Sequence, residues 1–432
     1  MRRNVRVLVL GASGFVGSAV VAALLRAGME ARCLVRDPVR FGARFPGTEV
    51  RSLDLAADAA RDMDRWVGLL KEVDAVVNVA GVLQPRRARE AWAVHRDAPE
   101  ALYGACERAG VRRVILVSAI GVVETDTVYA RSKRAGEEAL QARELDWTVL
   151  RPSVVVGDDS YGGTSLLRAI AVFPFVTPVI GDGTTPLDVI HKDDLASGIV
   201  ALLRTERGVR MVLEPAGPER MEFVEAVSAY RSWLGLAPRR FVGVPPGLAG
   251  LFARFGDATA TNPLTSTALA QFRARLTGNA PAFAAVTGTR PRGLAEILAA
   301  RPCGSQDLWH ARLFLARPLV RMVLALFWAV SGIVGLLADP AAYESLLEPL
   351  TRGWGREIAF AACVCDLAIA GALVVGWRLK LVAWVQAAAI VGYTAALSVL
   401  APGMWGDLYG SLLKNLPILI LVLVHRILEE ER

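Results

Sequence analysis

The chain has little cysteine and little lysine for its 432 residues. Its five cysteines form neither a disulfide framework nor a zinc-binding spacing, and two of them, Cys363 and Cys365, lie in an apolar stretch. The net charge of +7 is carried largely by arginine, since only five residues are lysine. That charge suits anionic lipids and nucleotides, and no nucleic-acid-binding motif accompanies it. We therefore expect no metal site and no nucleic-acid partner.

One of the few lysines has an informative neighbour. Tyr129 and Lys133 are four residues apart, so a helix would place them on one face. An ammonium group beside a phenol lowers the pKa of the phenol, which would let Tyr129 exchange a proton near neutral pH. Ser118 ends the apolar run 114–117, which is typical of a buried parallel strand. These residues indicate a proton-relay site, and the alternative is an ordinary exposed helix turn after a strand.

The N-terminus predicts a dinucleotide-binding turn. The apolar run 5–10 precedes a glycine-rich segment, and a helical pattern then continues to residue 28. The segment contains Gly11, Ser13, Gly14, Phe15, Val16 and Gly17. Its first glycine permits a tight turn, the second lets the backbone approach a pyrophosphate, and the third lets helix and strand pack closely. A signal peptide is the rival interpretation, but the glycines interrupt its apolar core.

The order of the later elements predicts an α/β fold. Strand-like runs at 31–35, 49–53, 75–79, 114–117 and 147–150 alternate with helical stretches. Such alternation predicts a doubly wound parallel sheet of the Rossmann type, which binds ligands beyond the carboxyl ends of its strands. Five candidate residues fall at such ends: Gly11, Arg36, Gly81, Ser118 and Pro152.

The residues after the second strand bear on the choice of coenzyme. A basic residue there accommodates the 2′-phosphate of NADP, and an acidic one binds the ribose hydroxyl of NAD. Arg36 comes first and Asp37 second, which favours NADP and leaves NAD as the alternative. Asp54 and Leu55, after the third strand, are candidates for contact with the adenine, or they form a simple turn.

At this point the sequence resembles the extended and atypical branch of the short-chain dehydrogenase/reductase superfamily. The resemblance covers roughly residues 1–300 and rests on residues 11–17, 78–81, 118, 129–133 and 151–152. It implies that Ser118 orients the substrate oxygen, Tyr129 passes a proton, and Lys133 lowers the pKa of the tyrosine and holds the nicotinamide ribose. Pro152 would lie against the nicotinamide carboxamide, and Ala80 and Gly81 would also contact the coenzyme.

Other features of this resemblance concern neighbouring positions. His95 stands where many members carry asparagine, and we expect it on a helix surface rather than in a proton chain. The chain is also similar to a non-catalytic accessory subunit of respiratory complex I. Residues 155–300 are predicted to form a substrate lobe, with a loop at 157–163. The stretch 190–196 resembles the family segment that closes the coenzyme pocket, and its carboxylates could equally cap a helix.

The last third of the chain predicts a membrane domain. Apolar stretches at 322–338, 358–377, 381–400 and 412–423 favour a four-helix transmembrane bundle over residues 318–432, after an amphipathic linker at 301–317. Five tryptophans, at 309, 328, 354, 377 and 405, are assigned mostly to the membrane interfaces. Trp328, Ser331 and the stretch 413–417 carry a resemblance to the DoxX-like family, whose members are linked to quinone or thiol redox chemistry. Asp366 lies inside the second stretch, and an intramembrane carboxylate is a functional candidate with Lys414 or a backbone group as its partner; a purely structural polar clamp is the alternative.

The distribution of charge predicts the orientation in the membrane. One side carries Arg312, Arg317, Arg321, Arg378, Lys380, Arg426 and Arg432, whereas the other carries Arg352, Arg356 and Lys414 among several carboxylates. The excess of seven basic residues over three places both termini and the first domain in the cytoplasm of an inner-membrane protein.

Three functions are compatible with the sequence. The favoured one is a membrane-anchored NADP-dependent oxidoreductase acting on an apolar carbonyl, alcohol or quinone. The alternatives are a non-catalytic NAD(P)-binding sensor or assembly factor and a nucleotide-sugar epimerase or dehydratase. A homo-oligomer and a membrane redox partner are both left open.

Overall fold

The computed structural model describes residues 5–85, 87–259, 264–351, 353–408 and 410–430. It divides into two compact units. The first holds Met1–Ala253 and Pro263–Leu308, and the second holds Arg254–Asn262 and Trp309–Arg432. Arg352 and Arg432, which enter the charge comparison above, lie outside the described residues.

The nucleotide-binding half of the first unit alternates strands and helices. Its elements are β1 (Arg6–Leu10), α1 (Phe15–Arg26), β2 (Glu30–Val35), α2 (Pro38–Arg44), β3 (Glu49–Ser52), α3 (Met63–Leu69), β4 (Ala75–Asn78), α4 (Ala88–Trp92), α5 (Ala98–Ala109), β5 (Arg113–Val117), α6 (Val128–Gln141) and β6 (Asp146–Leu150). A 3-10 turn, Asp58–Arg61, precedes α3, and a π-helical turn, Ala93–Asp97, joins α4 to α5.

The rest of the first unit contains shorter strands and further helices. They are β7 (Val154–Val156), α7 (Gly163–Ala171), β8 (Thr177–Ile180), β9 (Pro186–His191), α8 (Lys192–Leu203), β10 (Met211–Leu213), β11 (Arg220–Glu222), α9 (Phe223–Trp233), β12 (Phe241–Val244), α10 (Pro246–Thr259), α11 (Ser266–Arg273), α12 (Ala280–Thr287) and α13 (Leu294–Ala300). Helix α10 belongs to the first unit only up to Ala253, and its remainder is grouped with the second.

The predicted parallel sheet is confirmed. Seven strands lie in the order β10-β6-β5-β4-β1-β2-β3, and every neighbouring pair is parallel. Alternate residues of β1 enter different cores, because successive side chains of a strand point to opposite faces. Val7 and Val9 pack on the side of α1 and α8, whereas Leu8 and Leu10 pack with the residues of α3 and α5. Helices therefore cover both faces, and the strand ends stay free to hold a ligand.

The second unit is helical. Its elements are α14 (Ser305–Leu337), which begins in the first unit, α15 (Pro340–Thr351), α16 (Gly355–Val375), α17 (Leu379–Leu400), the 3-10 turn Pro402–Trp405 and α18 (Asn415–Leu428). Three of these, α14, α16 and α17, are long and apolar enough to cross a membrane. Most of the predicted linker at 301–317 is the beginning of α14 rather than a separate segment.

Three of the four expected spanning helices are found at full length, and the fourth, α18, is shorter than expected. Helix α18 has 14 residues, which corresponds to about 21 Å against a hydrocarbon core of about 30 Å. Helix α15 was not anticipated. Trp328 is also misassigned to an interface, because it is buried in the unit's core and donates to Gln386 Oε1 at 2.9 Å.

Two contacts identify groups that share one end of the second unit. Arg317 of α14 pairs with Glu429, just after α18, at 3.0 Å. The guanidinium of Arg321, also on α14, donates to Leu373 O and, at 2.9 Å, to Val374 O at the end of α16. The start of the apolar part of α14, the turn after α16 and the end of the described chain therefore lie at the same end of the unit.

Candidate functional site

The glycine turn between β1 and α1 has the backbone geometry that its sequence predicts. Gly11 has a φ of +72°, and a Cβ atom built there would lie 2.8 Å from Ala80 Cα. A Cβ on Gly17 would lie 2.0 Å from Gly11 O, so only glycine allows α1 to begin so close to the turn. No acidic side chain occupies the first turn of α1, and no side chain caps it. Its N-terminal N–H groups and positive dipole are therefore available to a phosphate.

Two segments of the lobe lie beside this turn. Tyr161 stacks on Phe15 with 5.9 Å between the ring centroids. Lys192 lies over the same ring at 5.0 Å and pairs with Asp159. The loop at 157–163 and the stretch around residue 192 thus flank the entrance of α1, where the resemblance expects a coenzyme. The cap of α8 is the side chain of His191, rather than a carboxylate.

Just beyond β2, the arginine is available to a ligand and the neighbouring aspartate is not. Arg36 is exposed, and no ion-pair or hydrogen-bond partner is found for its side chain among the described residues. Asp37 is occupied as the cap of α2, because its carboxylate accepts from Arg40 N at 3.1 Å. Asp54 likewise accepts from Ala56 N in a turn, and Leu55 beside it is half-buried.

Lys133 is the centre of the predicted proton-relay group. Its Nζ donates to Ala80 O and to Val117 O, each at 3.1 Å. These carbonyls immediately precede Gly81 and Ser118, so α6 holds the lysine against the ends of β4 and β5. Burial disfavours the ammonium and lowers the pKa of Lys133 to about 8, while Glu137 nearby opposes that shift.

Ser118 supplies the polar atom without a partner. It is buried, and its Oγ has no hydrogen-bond partner within the described chain. Its backbone N–H donates to Leu150 O, and Ile120 N donates to Pro152 O, so the ends of β5 and β6 are adjacent. An unsatisfied buried hydroxyl is costly. The hydroxyl of Ser118 therefore fits a ligand oxygen at this edge of the sheet.

Tyr129 differs electrostatically from the expectation. It is half-buried, and burial raises the pKa of its phenol to about 12. The expected lowering by Lys133 is absent, because the ammonium is held by the two carbonyls at the strand ends. The phenol consequently keeps its proton at neutral pH, which suits a proton donor.

His95 was expected on a helix surface, and that expectation is wrong. The side chain is buried and lies in the π-helical turn, with its ring 5.5 Å from that of Tyr129 in an edge-to-face arrangement. Its Nε2 accepts from Val82 N at 2.9 Å, so Nδ1 carries the proton and donates to Ser132 Oγ at 2.8 Å. Burial, with the charge of Lys133, lowers the pKa of His95 to about 2. The ring is thus a neutral link between the segment after β4 and helix α6.

Two further residues of α6 were missed from the sequence. Gly136 allows close packing, since a Cβ there would lie 2.1 Å from His95 O. Glu137 is buried and binds Arg151, with Glu137 Oε2 2.5 Å from Arg151 Nη2. This pair fixes α6 to the segment that holds Pro152. Gly136 and Glu137 lie three and four residues after Lys133, on the same face of the helix. This spacing could have identified them from the sequence.

The membrane unit contains the predicted intramembrane carboxylate, but Lys414 is not its partner. Asp366 accepts from Ser331 Oγ at 2.7 Å and from Tyr393 OH at 3.0 Å, whereas the side chain of Lys414 is exposed. Helices α14, α16 and α17 each contribute one member of this cluster.

Comparison with sequence families assigns both parts of the chain. Residues 11–206 match the NAD(P)H-binding family, and residues 325–423 match the DoxX-like family. These matches support a nicotinamide coenzyme for the first unit and a membrane location for the second.

Similar proteins of known sequence include reductases and a respiratory subunit. The ceramide reductase of Caulobacter vibrioides is 32% identical over 244 residues, which cover 56% of this chain and 74% of that protein. The mitochondrial NADH dehydrogenase [ubiquinone] 1 alpha subcomplex subunit 9 of Arabidopsis thaliana is 28% identical, covering 49% of this chain and 53% of its own length.

Solved structures agree on the fold. The UDP-glucuronic acid 4-epimerase from Bacillus cereus, in complex with NAD, has a TM-score of 0.53 and 17% identity, covering 72% of this chain and 99% of its own. MoeE5, in complex with UDP-glucose and NAD, has a TM-score of 0.51 and 23% identity, covering 71% and 99%. The chain therefore belongs to the NAD(P)-binding, short-chain dehydrogenase/reductase-like family that includes the Caulobacter ceramide reductase, and it carries a DoxX-like domain at its C-terminal end.

Proposed function

We propose that the protein is a membrane-anchored, NADP-dependent oxidoreductase that reduces the carbonyl group of an apolar, lipid-like substrate. The observation that carries the proposal is the buried Ser118 hydroxyl, unpartnered in the described chain, beside the strand-end carbonyls that hold Lys133. A hydroxyl donor and a protonated phenol that both reach a carbonyl oxygen can polarise the carbonyl and protonate that oxygen.

The proposed roles follow from the protonation states. The coenzyme, when bound, supplies the hydride. Ser118 would donate a hydrogen bond to the substrate oxygen, and Tyr129 would give it a proton. Because burial raises the pKa of Tyr129, its phenol is protonated at neutral pH and can serve as the proton donor when a carbonyl is reduced. Lys133, with its pKa near 8, remains largely charged at neutral pH and would hold the nicotinamide ribose.

Two observations support the choice of coenzyme and substrate. The exposed Arg36 can neutralise the 2′-phosphate of NADP, whereas Asp37 is engaged as a helix cap. The similarity to a ceramide reductase supports a long-chain lipid as the substrate class, and a membrane anchor would keep the enzyme near such a substrate.

The orientation of the second unit is also a proposal. Arg317 and Arg321 of α14, the turn containing Arg378, and the residues after α18 share one end of the unit. This end carries most of the basic residues, so we place it, with the coenzyme-binding unit, on the cytoplasmic side of the inner membrane.

The catalytic assignment can be tested with the full chain in lipid nanodiscs. NADPH consumption would be screened with long-chain ketones that carry or lack an N-acylamino group, prenyl aldehydes, sterol ketones and quinones. Tyr129→Phe should lower turnover by about 10² to 10⁴ while coenzyme affinity changes little. Met211→Ala, at an exposed position at the start of the edge strand β10, is the control. If Tyr129→Phe supports turnover as well as the unaltered protein does, the residues do not act as assigned, and the non-catalytic coenzyme-binding function replaces this one.

A further inference from the structure

In helix α10 of the lobe, small apolar residues face the core and large apolar residues face outward. An ordinary surface helix has the reverse arrangement. Ala249 and Ala253 are buried against Leu269 in a small core that also includes Ile180 and Val244. In contrast, Leu251 is 64% exposed and Phe252 is 51% exposed. A water-soluble helix normally turns its large apolar side chains toward the core and its polar ones outward. The outer face of α10 therefore needs a partner other than water.

A second group of exposed residues precedes strands β8 and β12. Strands β8 and β12 are paired, and Thr177 N donates to Arg240 O at 3.0 Å. The residues just before these strands are thus neighbours. Phe175 is 84% exposed. Arg239 and Arg240 are exposed and have no carboxylate partner among the described residues.

We call these two groups of exposed residues together the lobe patch. It consists of Phe175, Arg239, Arg240, Leu248, Leu251 and Phe252. Exposed large apolar side chains accompanied by unpaired arginines are typical of segments that lie in the interfacial region of a bilayer. There the apolar groups enter the acyl boundary, and the guanidinium groups meet anionic headgroups.

We propose that the lobe patch lies against the lipid headgroups of the membrane in which the chain is anchored. Charge complementarity supports this occupant, because the two arginines are free to bind lipid phosphates. The chain itself supplies the proximity: it has three helices apolar enough to span a bilayer, so the patch is confined near the lipid at a high effective concentration. The proposal concerns a second, peripheral contact with the bilayer and does not depend on the catalytic function.

The test uses the full chain in nanodiscs of phosphatidylethanolamine and phosphatidylglycerol. A fluorescent amino acid is placed at Leu251, at Phe175 or, as the control, at Val39, which is 83% exposed on α2. Lipids with a nitroxide near the top of the acyl chain should quench most of the fluorescence at Leu251 and Phe175 and little at Val39. Aqueous iodide should show the reverse order. All three positions are exposed, so the substitutions leave the core intact.

Two results would overturn the proposal. One is quenching of Leu251 and Phe175 by iodide but not by the nitroxide lipids, which would show that the patch faces water. The other is protection from both quenchers, which would show that a second copy of the chain or another protein covers it. Replacing the anionic lipid with phosphatidylcholine should weaken the lipid quenching at both positions, and Arg239→Gln with Arg240→Gln should reproduce that loss in the original lipids. Unchanged quenching in both cases would refute the role of the arginines.

Discussion

Replacing His95 tests whether this buried ring positions the proposed catalytic helix. The imidazole accepts from Val82 N and donates to Ser132 Oγ, and Ser132 Oγ donates in turn to Tyr129 O at 3.0 Å. His95→Ala removes both ring contacts and leaves the half-buried Val82 N–H without its partner, at a cost of up to about 1–3 kcal/mol. If the loss of these contacts displaces Tyr129 and raises the activation free energy by the same amount, turnover should fall by about 5- to 150-fold.

The variant His95→Gln distinguishes a positioning role of His95 from a role in proton transfer. His95→Gln keeps one acceptor and one donor but has no group that titrates, so it should retain most of the turnover with NADPH in nanodiscs. It should also resist acid better. Because burial lowers the pKa of His95, the native fold is favoured at pH values above the ordinary histidine pKa and loses stability as pH falls below it, by about 1.4 kcal/mol per unit.

Fluorescence-detected thermal unfolding of the full chain between pH 4 and pH 7 measures this difference. The His95→Gln midpoint should fall less on acidification than that of the unaltered protein. The reasoning is refuted if His95→Ala turns over normally. It is also refuted if His95→Gln is as inactive as His95→Ala while an ionisation near neutral pH vanishes from the rate profile, because His95 would then exchange protons itself.

Three other predictions follow from single contacts. Arg36→Ala should weaken NADPH binding in calorimetry more than NADH binding, whereas Arg40→Ala should not, and equal losses for the two coenzymes would exclude a 2′-phosphate site. Gly17→Ala should abolish the thermal stabilisation by NADPH, because its Cβ would lie 2.0 Å from a backbone oxygen, and Gly68→Ala, with nothing within 4 Å, should keep it. Asp366→Leu should lower the unfolding midpoint of the membrane unit well below that of Asp366→Asn, since leucine accepts no hydrogen bond; matching midpoints would show that hydrogen bonding is not its role.

Much of the nucleotide-binding fold could be predicted from the sequence because its signals are local. Short apolar runs and the glycine turn after β1 depend on residues that are close in the chain, and the parallel order of strands follows from their alternation with helices. The proximity of the candidate residues at strand ends could be predicted for the same reason. Once the sheet is parallel, its topology brings Gly81, Ser118 and Lys133 to one edge.

The errors arose where the outcome depended on distant atoms. His95 was placed on a surface because the sequence does not show the π-helical turn that rotates it inward. The pKa of Tyr129 was misjudged because the position of the Lys133 ammonium is set by two carbonyls from other strands. The partner of Asp366 was misjudged because hydroxyls of two other helices reach it. Helix α18 proved short because apolar composition alone does not determine where a helix begins.

The π-helical turn at Ala93–Asp97 bears on how the positioned site could be lost during the evolution of the family. Residues of an α-helix are separated by about 100° around the axis, so losing one residue from this turn would rotate one flank against the other by about that angle. His95 would then leave Ser132, while the surrounding fold could persist. A single-codon deletion is therefore a short genetic route from a positioned site to an unpositioned one. In alignments of relatives, a gap of one residue here would mark lineages in which the coenzyme-binding fold has been retained for another purpose.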